Sequence, residues 1–342
     1  MVGGTLESVN FSAHRLPHRL PHRLPHRLPV SPRFLALAAT VVLWASAFPA
    51  IRVGLDGLGV AGLSLLRLAV ASAALALVAP LLGVRPPERR DLPLIALCGA
   101  TGMSAYQLLL NWGEVHVPAG TASLLVAVAP VFSVLLATAF LGEALTRNTA
   151  LGSAIALAGA VLIALAGGST RLSAAALVVL AAALVQGVYH FATKPLLKRY
   201  TGLEVACYAM WAGTLFLLPL APDAVHGLAR APASAVGSAV YLGLLPSALG
   251  FVTWGYAVSR YTVAGATGAL YLVPPVALAV AFVWLGETPR PVELIGGLIS
   301  ITGVVLINRR LTKPPPARPG AHQEDNAPEH RARSIASTGE RL

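Results

Sequence analysis

Two pairs of polar side chains stand one helical turn apart inside otherwise apolar sequence: Gln107 with Asn111, and Gln186 with His190. At i,i+4 spacing each pair shares one face of a helix. Amides on such a face can hydrogen-bond a zwitterionic or amide-bearing solute, or they can tie packed helices together. His190 adds an imidazole that titrates near physiological pH. It could carry a coupled proton, or stand neutral against a neighbouring helix. Tyr106 lies about 100° round the helix from Gln107. Trp44, Trp254, Tyr256 and Tyr271 could wall an amphiphilic solute or stack on a cation; core packing and interfacial placement are the alternatives. Trp44 and Trp254 lie deep within apolar runs. Trp112 and Trp284 lie at run ends, where an interfacial belt is expected.

Three cations extend the set. Arg67 falls within an apolar run and needs partners, either backbone carbonyls or a carboxylate such as Glu114. It either anchors the fold or binds a solute carboxylate. Arg52 and Lys194 stand near run ends, where they either snorkel to opposite faces or guard two mouths. Glu143 and Glu287 come shortly before helices and suit the positive end of a helix dipole. No Asp or Glu lies clearly in mid-run, which argues against a carboxylate as proton carrier. Covalent chemistry finds no support: there is no Gly-x-Ser-x-Gly, no His-Glu-x-x-His and no phosphate-binding Gly-x-x-x-x-Gly-Lys-Ser/Thr loop. Catalytic residues, metal ligands and cofactors are therefore expected to be none. Cys98 and Cys207 read as small packing residues in apolar runs.

The elements that must position these groups are helices in a membrane. Of 342 residues, 56% are hydrophobic and 11% charged, with a mean hydropathy of +0.71. Soluble domains carry roughly 25% charged residues. Ten apolar runs are each long enough for a ~30 Å hydrocarbon layer: 34–54, 60–82, 92–112, 119–140, 148–167, 173–193, 204–221, 235–257, 263–285 and 291–308. Only helices fit such runs, because every backbone N–H must be satisfied within its own segment. The lipid bilayer is therefore a partner. The net charge of +11 does not imply nucleic acid. With the N-terminus inside, 20 Lys and Arg fall on the cytoplasmic side and three (Arg171, Arg230, Arg290) on the other. That asymmetry places both termini in the cytoplasm of a multi-pass inner-membrane protein.

The hydrophobic part is written twice. Leu141-Gly142-Glu143 returns as Leu285-Gly286-Glu287, 144 positions on, and Gly159-Ala-Val-Leu-Ile163 returns as Gly303-Val-Val-Leu-Ile307. The same offset carries Pro130 onto Pro274 and Gly152 onto Gly296. Pro130 and Pro274 break their helices and free a carbonyl. Gly152 with Gly159, and Gly296 with Gly303, line single faces that allow close helix packing. The chain divides into a basic leader with four His-Arg-Leu-Pro repeats (1–33), two halves (34–167 and 168–308) and a polar tail (309–342), both ends being disordered. The histidines of the leader are read as lipid-attracted charge in preference to a metal tract. Five runs per half is an odd number, so the second half enters the membrane inverted. The fold expected is all-α, with ten transmembrane helices as two inverted-topology five-helix repeats.

These residues resemble the EamA family of the drug/metabolite transporter superfamily. The resemblance rests on the doubled Leu-Gly-Glu, the proline-containing helices before it, the glycine-rich helices after it, and Trp44-Ala-Ser-Ala-Phe48. It covers about 34–308. The counterpart of the Trp44 segment, Gln186-Gly-Val-Tyr-His190, departs from that pattern. The resemblance implies a carrier, commonly an exporter, of amino acids or other small metabolites, working by alternating access at a cavity between the repeats. Trp44, Tyr106, Gln107, Asn111, Gln186, His190, Trp254 and Tyr271 are its expected lining. Proton coupling stays open, as does the choice between monomer and homodimer. A non-transporting receptor or scaffold is the alternative reading, and an intramembrane enzyme a more remote one.

Overall fold

The computed structural model describes residues 31–141, 146–165, 174–260 and 269–308. The leader, the tail, Gly142 and Glu143 of the first Leu-Gly-Glu, and the Gly167-Gly168 link lie outside these residues. All regular structure among them is helical. Six helical runs have the length and apolar composition to cross a membrane, and three further apolar helices are shorter.

The first helix, α1 (Pro32–Val78), starts with proline in its first turn, where no backbone N–H is needed. It covers two of the expected runs. Between those runs Asp56, Gly57 and Gly59 leave helical geometry, with φ of 145° at Gly57 and 64° at Gly59. Only glycine takes such values without strain. A side chain at Gly57 would also stand 2.5 Å from Pro232. The arms 32–55 and 60–78 can therefore fold back at one point.

Next come α2 (Leu92–Cys98) and α3 (Tyr106–His116), joined without a break by a wider π-helical turn, Gly99–Ala105. A second π turn, Gly243–Leu249, joins α10 (Ala233–Leu242) to α11 (Gly250–Val258). The two π turns stand 144 positions apart, the offset of the sequence repeat. Such turns disturb the backbone ladder and recur at functional sites. The second exposes a carbonyl, Pro246 O, to the Trp44 indole N–H at 3.1 Å.

The intervening elements are α4 (Ala119–Val126), α5 (Ala129–Leu141), α6 (Arg147–Leu165), α7 (Ala174–Leu196), α8 (Gly202–Leu217) and α9 (Ala221–Arg230). The chain closes with α12 (Val273–Leu285) and α13 (Pro291–Asn308). Helices α5 and α12 begin and end 144 positions apart. Each follows a break in its apolar run, and each carries its proline (Pro130 or Pro274) in its first turn, where proline is tolerated.

Helices α6 and α13 pack extensively on one another. A Cβ at Gly159 would meet Gly296 O and Ser300 N at 2.5 Å, and one at Gly303 would meet Gly152 O at 2.5 Å. These contacts are backbone against backbone, so nothing can yield. Ser300 Oγ also donates to Ala156 O at 2.9 Å across the pair. Gly303→Leu is expected to lower stability by about 1–3 kcal/mol through overpacking, read as a lower thermal midpoint in detergent. Gly237→Leu, whose added side chain meets nothing, is expected to leave the midpoint unchanged.

Candidate functional site

The kinked α1, the broken α4–α5 and α12 runs, α7 and α11 surround a cavity of about 80 Å³. Its wall is mostly apolar and aromatic: Trp44, Phe48, Ile51, Leu110, Phe251 and Tyr271 among others. Both expected helix-breaking prolines, Pro130 and Pro274, border it. Its polar groups are few: Arg67, Tyr106, Ser123, Gln186 and His190.

Arg67 is 3% exposed. Its Nε donates to Ser247 Oγ at 2.7 Å, while Nη1 has no hydrogen-bond partner among the described residues. The partner is neither a carbonyl nor Glu114, as the sequence led us to expect. It is a hydroxyl from the second π turn, far along the chain. One edge of the guanidinium is thereby fixed, and an unpaired donor is left on a group that borders the cavity. Ser247 carried no signal in the sequence; only the π turn presents it.

On α7, Gln186 Nε2 and His190 Nε2 of the same lining are 3.4 Å apart. His190 lies in an aromatic cluster, with its ring centroid 5.6 Å from Trp254 and 5.7 Å from Tyr189. Trp44 lies 5.2 Å from Phe251 and 5.4 Å from Trp254. Trp254 is thus behind the lining, buttressing Trp44 and His190. Tyr256 is turned elsewhere, under Arg260 at 4.2 Å. Trp112 and Trp284 are exposed on the outer surface.

Of the α3 candidates, Tyr106 borders the cavity and Gln107 and Asn111 do not. The reason is helical phase. Tyr106 and Leu110 share the cavity face, and Gln107 and Asn111 are turned about 100° away. Asn111 Nδ2 donates to Ser64 Oγ of α1 at 2.8 Å. Both amides are fully buried.

Polar contacts close each end of the molecule. At one, Arg52 Nε faces Glu287 Oε1 at 3.7 Å, and the Arg52 guanidinium also donates to the backbone carbonyl of Glu114. Arg52 therefore bridges elements instead of snorkelling. Glu287 is bridged as well: it faces the start of α4, 3.5 Å from Gly120 N. The helix-start role expected of Glu287 falls to Glu293, which accepts from Arg290 N at 2.9 Å and from Thr121 Oγ1 at 3.0 Å. At the other end Arg85 grips Glu204 with two bonds of 2.8 and 3.1 Å, and that carboxylate raises the Arg85 guanidinium above its ordinary range. Beside this pair, Asp91 takes Arg199 and the Tyr200 hydroxyl, the latter at 2.7 Å. Among the described residues no group of three metal-ligating side chains forms.

The family model described as "EamA-like transporter family" matches residues 32–165 and again 173–309. A protein of Streptantibioticus cattleyicolor named "Probable terminal-alkyne amino-acid exporter" is 74% identical over 80% of this chain and 93% of its own length. "Uncharacterized transporter YdfC" of Bacillus subtilis is 39% identical over 79% of this chain and 89% of its own. A "Probable amino-acid metabolite efflux pump" of Salmonella typhimurium is 28% identical over 80% and 93%. One solved crystal structure aligns with a TM-score of 0.57 over 82% of this chain and 99% of the other. At 20% identity that likeness concerns the fold alone.

The Arg67–Ser247 bond can be tested without any solute. Ser247→Ala leaves a buried guanidinium nitrogen without its acceptor, at a cost of about 1–3 kcal/mol. The thermal midpoint in detergent is expected to fall accordingly. Ser259→Ala, which removes an exposed hydroxyl, is expected to leave it in place.

Proposed function

The chain belongs to the EamA-like transporter family, and from that membership we propose that it exports small amino acids, terminal-alkyne amino acids among them, by alternating access. It is a multi-pass membrane transporter and not an enzyme. The observation that carries the substrate reading is Arg67. It supplies a buried, oriented cationic donor on a cavity whose other walls are chiefly apolar and aromatic. An amino acid brings a carboxylate for the first and a compact side chain for the second. A guanidinium with one edge held by Ser247 is already oriented for that carboxylate. Trp44 and Tyr271 form the aromatic wall, Gln186 and His190 stand where they can orient the ammonium end, and Tyr106 adds a hydroxyl. Gln107, Asn111 and Trp254 support this shell from behind.

The finer architecture belongs to the same proposal. We read α1 as two crossings that turn at Gly57–Gly59, and the three shorter apolar helices as full members of the bundle, which makes ten. Two units, 34–167 and 168–308, then lie in opposite orientation, with the leader and tail outside them. The 144-residue spacing of the π turns and of α5 and α12 supports this reading, as does the double family match. The excess of Lys and Arg on one side puts both termini in the cytoplasm, in a bacterial inner membrane. The Arg52–Glu287 bridge then marks the outer mouth and the Arg85–Glu204 and Asp91–Arg199 pairs the inner one. A single copy encloses the whole cavity.

The test is flux of radiolabelled L-propargylglycine, a terminal-alkyne amino acid, into proteoliposomes. Saturable uptake is expected for the wild type. Arg67→Gln removes a charged hydrogen bond of about 1.5–3 kcal/mol, so its half-saturation concentration is expected to rise roughly 10- to 100-fold. The corresponding amine without its carboxyl group is expected not to compete. An unchanged half-saturation in Arg67→Gln would overturn the assignment of Arg67, and equal competition by the amine would overturn the carboxylate reading.

A further inference from the structure

A stripe of polar groups lies behind the cavity and takes no part in the site just described. Gln107, Asn111 and Glu114 stand at i, i+4 and i+7 on α3, so they share one face. All three are fully buried. Apart from the bond from Asn111 to Ser64, their side chains are unpartnered among the described residues: both polar atoms of Gln107, Asn111 Oδ1 and both oxygens of Glu114. The sequence did not mark Glu114 as a mid-membrane carboxylate, because it falls just past the end of the expected run 92–112. The fold nevertheless encloses it completely.

Glu114 sits directly behind the Arg52–Glu287 bridge. The Arg52 guanidinium already holds the backbone carbonyl of Glu114 while its Nε faces Glu287. The charged and titratable groups that act on the Glu114 side chain are Arg52 and Arg67 of α1, Glu287 beyond α12, and Tyr106 of α3 itself. The flank that α3 turns to α7 is apolar, with Gly113 against Val179 and Ala175. An ionised carboxylate enclosed without a single donor is strongly disfavoured in hydrocarbon. Of the two cations near it, Arg52 and Arg67, Arg52 already holds the Glu114 backbone carbonyl and can meet the carboxylate by leaving Glu287.

We propose that Glu114 is the proton site of a solute/proton antiporter, with Arg52 exchanging between Glu287 and Glu114. The step balances simply: the Glu114 carboxylic acid gives up one proton to water on the cytoplasmic side and becomes a carboxylate, which Arg52 then neutralises. A proton taken at the outer mouth restores the neutral acid, releases Arg52 to Glu287 and closes that mouth. Asn111 and Gln107 continue the polar track from Glu114 down α3 to the turn that carries Tyr106. This proposal rests on the transport reading of the Arg67 cavity.

The experiment separates proton-driven transport from plain exchange. Proteoliposomes with an acid interior are given radiolabelled L-propargylglycine. With one proton exchanged per solute, a gradient of about one pH unit is expected to drive about tenfold accumulation in the wild type. Glu114→Gln is expected to lose that accumulation while still exchanging labelled for unlabelled solute with no gradient. His226→Gln, which alters an exposed imidazole on α9 away from the cavity, is expected to keep the proton drive. Accumulation retained in Glu114→Gln would overturn the proposal. Neither flux nor exchange in the wild type would overturn the transport reading and this proposal with it. Should Glu114→Gln fail even to exchange, the wild type decides alone. Adding L-propargylglycine to the purified protein in weakly buffered detergent is expected to release about one proton per solute bound, read with a pH-sensitive dye. No release would overturn the proposal.

Discussion

No water reaches the hydrocarbon core of a bilayer to complete an unmet hydrogen bond, and every part of this molecule answers to that constraint. It makes all regular structure among the described residues helical. It also makes each departure from regular helix consequential, because a disturbed ladder frees groups that something else must meet. The π turn at Gly243–Leu249 illustrates this: one of its carbonyls is taken by the Trp44 indole, and its Ser247 hydroxyl takes Arg67. Two side chains of the first half are thus held by one irregular turn of the second. The cavity forms where the regular structure gives way, between that turn, the proline-led helices and the arms of α1.

The same constraint separates groups that are satisfied from groups held in reserve. Several buried serines and threonines return their hydroxyls to carbonyls, as Thr193 and Ser104 do. Arg67 and the Gln107–Asn111–Glu114 stripe are different, with donors or acceptors unmet although fully enclosed. Such groups are costly unless another state of the protein meets them. A carrier has other states, reached by solute, by proton, or by the opening of either end. The ion pairs at the two ends are suited to that role. They lie at the margins, where water lowers the cost of breaking them, and each joins segments far apart in the chain.

Much of this was legible in the sequence, and the remainder was hidden for definite reasons. The doubled motifs and apolar runs gave the helical, two-unit organisation that the family match also follows. The prolines indicated breaks, and both breaks border the cavity. Side-chain direction was harder to read. Gln107 and Asn111 pointed to a polar face, but periodicity alone does not say which way that face looks, and it looks away from the cavity toward α1. Arg67 plainly required a partner, yet Ser247 lies 180 residues away, and a serine in an apolar run carries no mark of such a role. Glu114 was marked only as a possible partner for Arg67, because it falls just past the end of its run, whereas the packing of α3 against α1 and α7 determines its environment. The turn at Gly57–Gly59 falls between the first two expected runs, 34–54 and 60–82.

The central claim is that the two ends open in alternation about the Arg67 cavity. The most direct test is pulsed electron spin resonance on spin-label pairs in a background with Cys98 and Cys207 replaced. One pair, at Asp56 and Thr288, spans the end bearing the Arg52–Glu287 bridge. The other, at Arg90 and Arg260, spans the opposite end. The account requires the two distance distributions to move in opposite senses when an amino-acid solute or a change of pH shifts the population. Distributions that stay fixed, or that widen together, would contradict it.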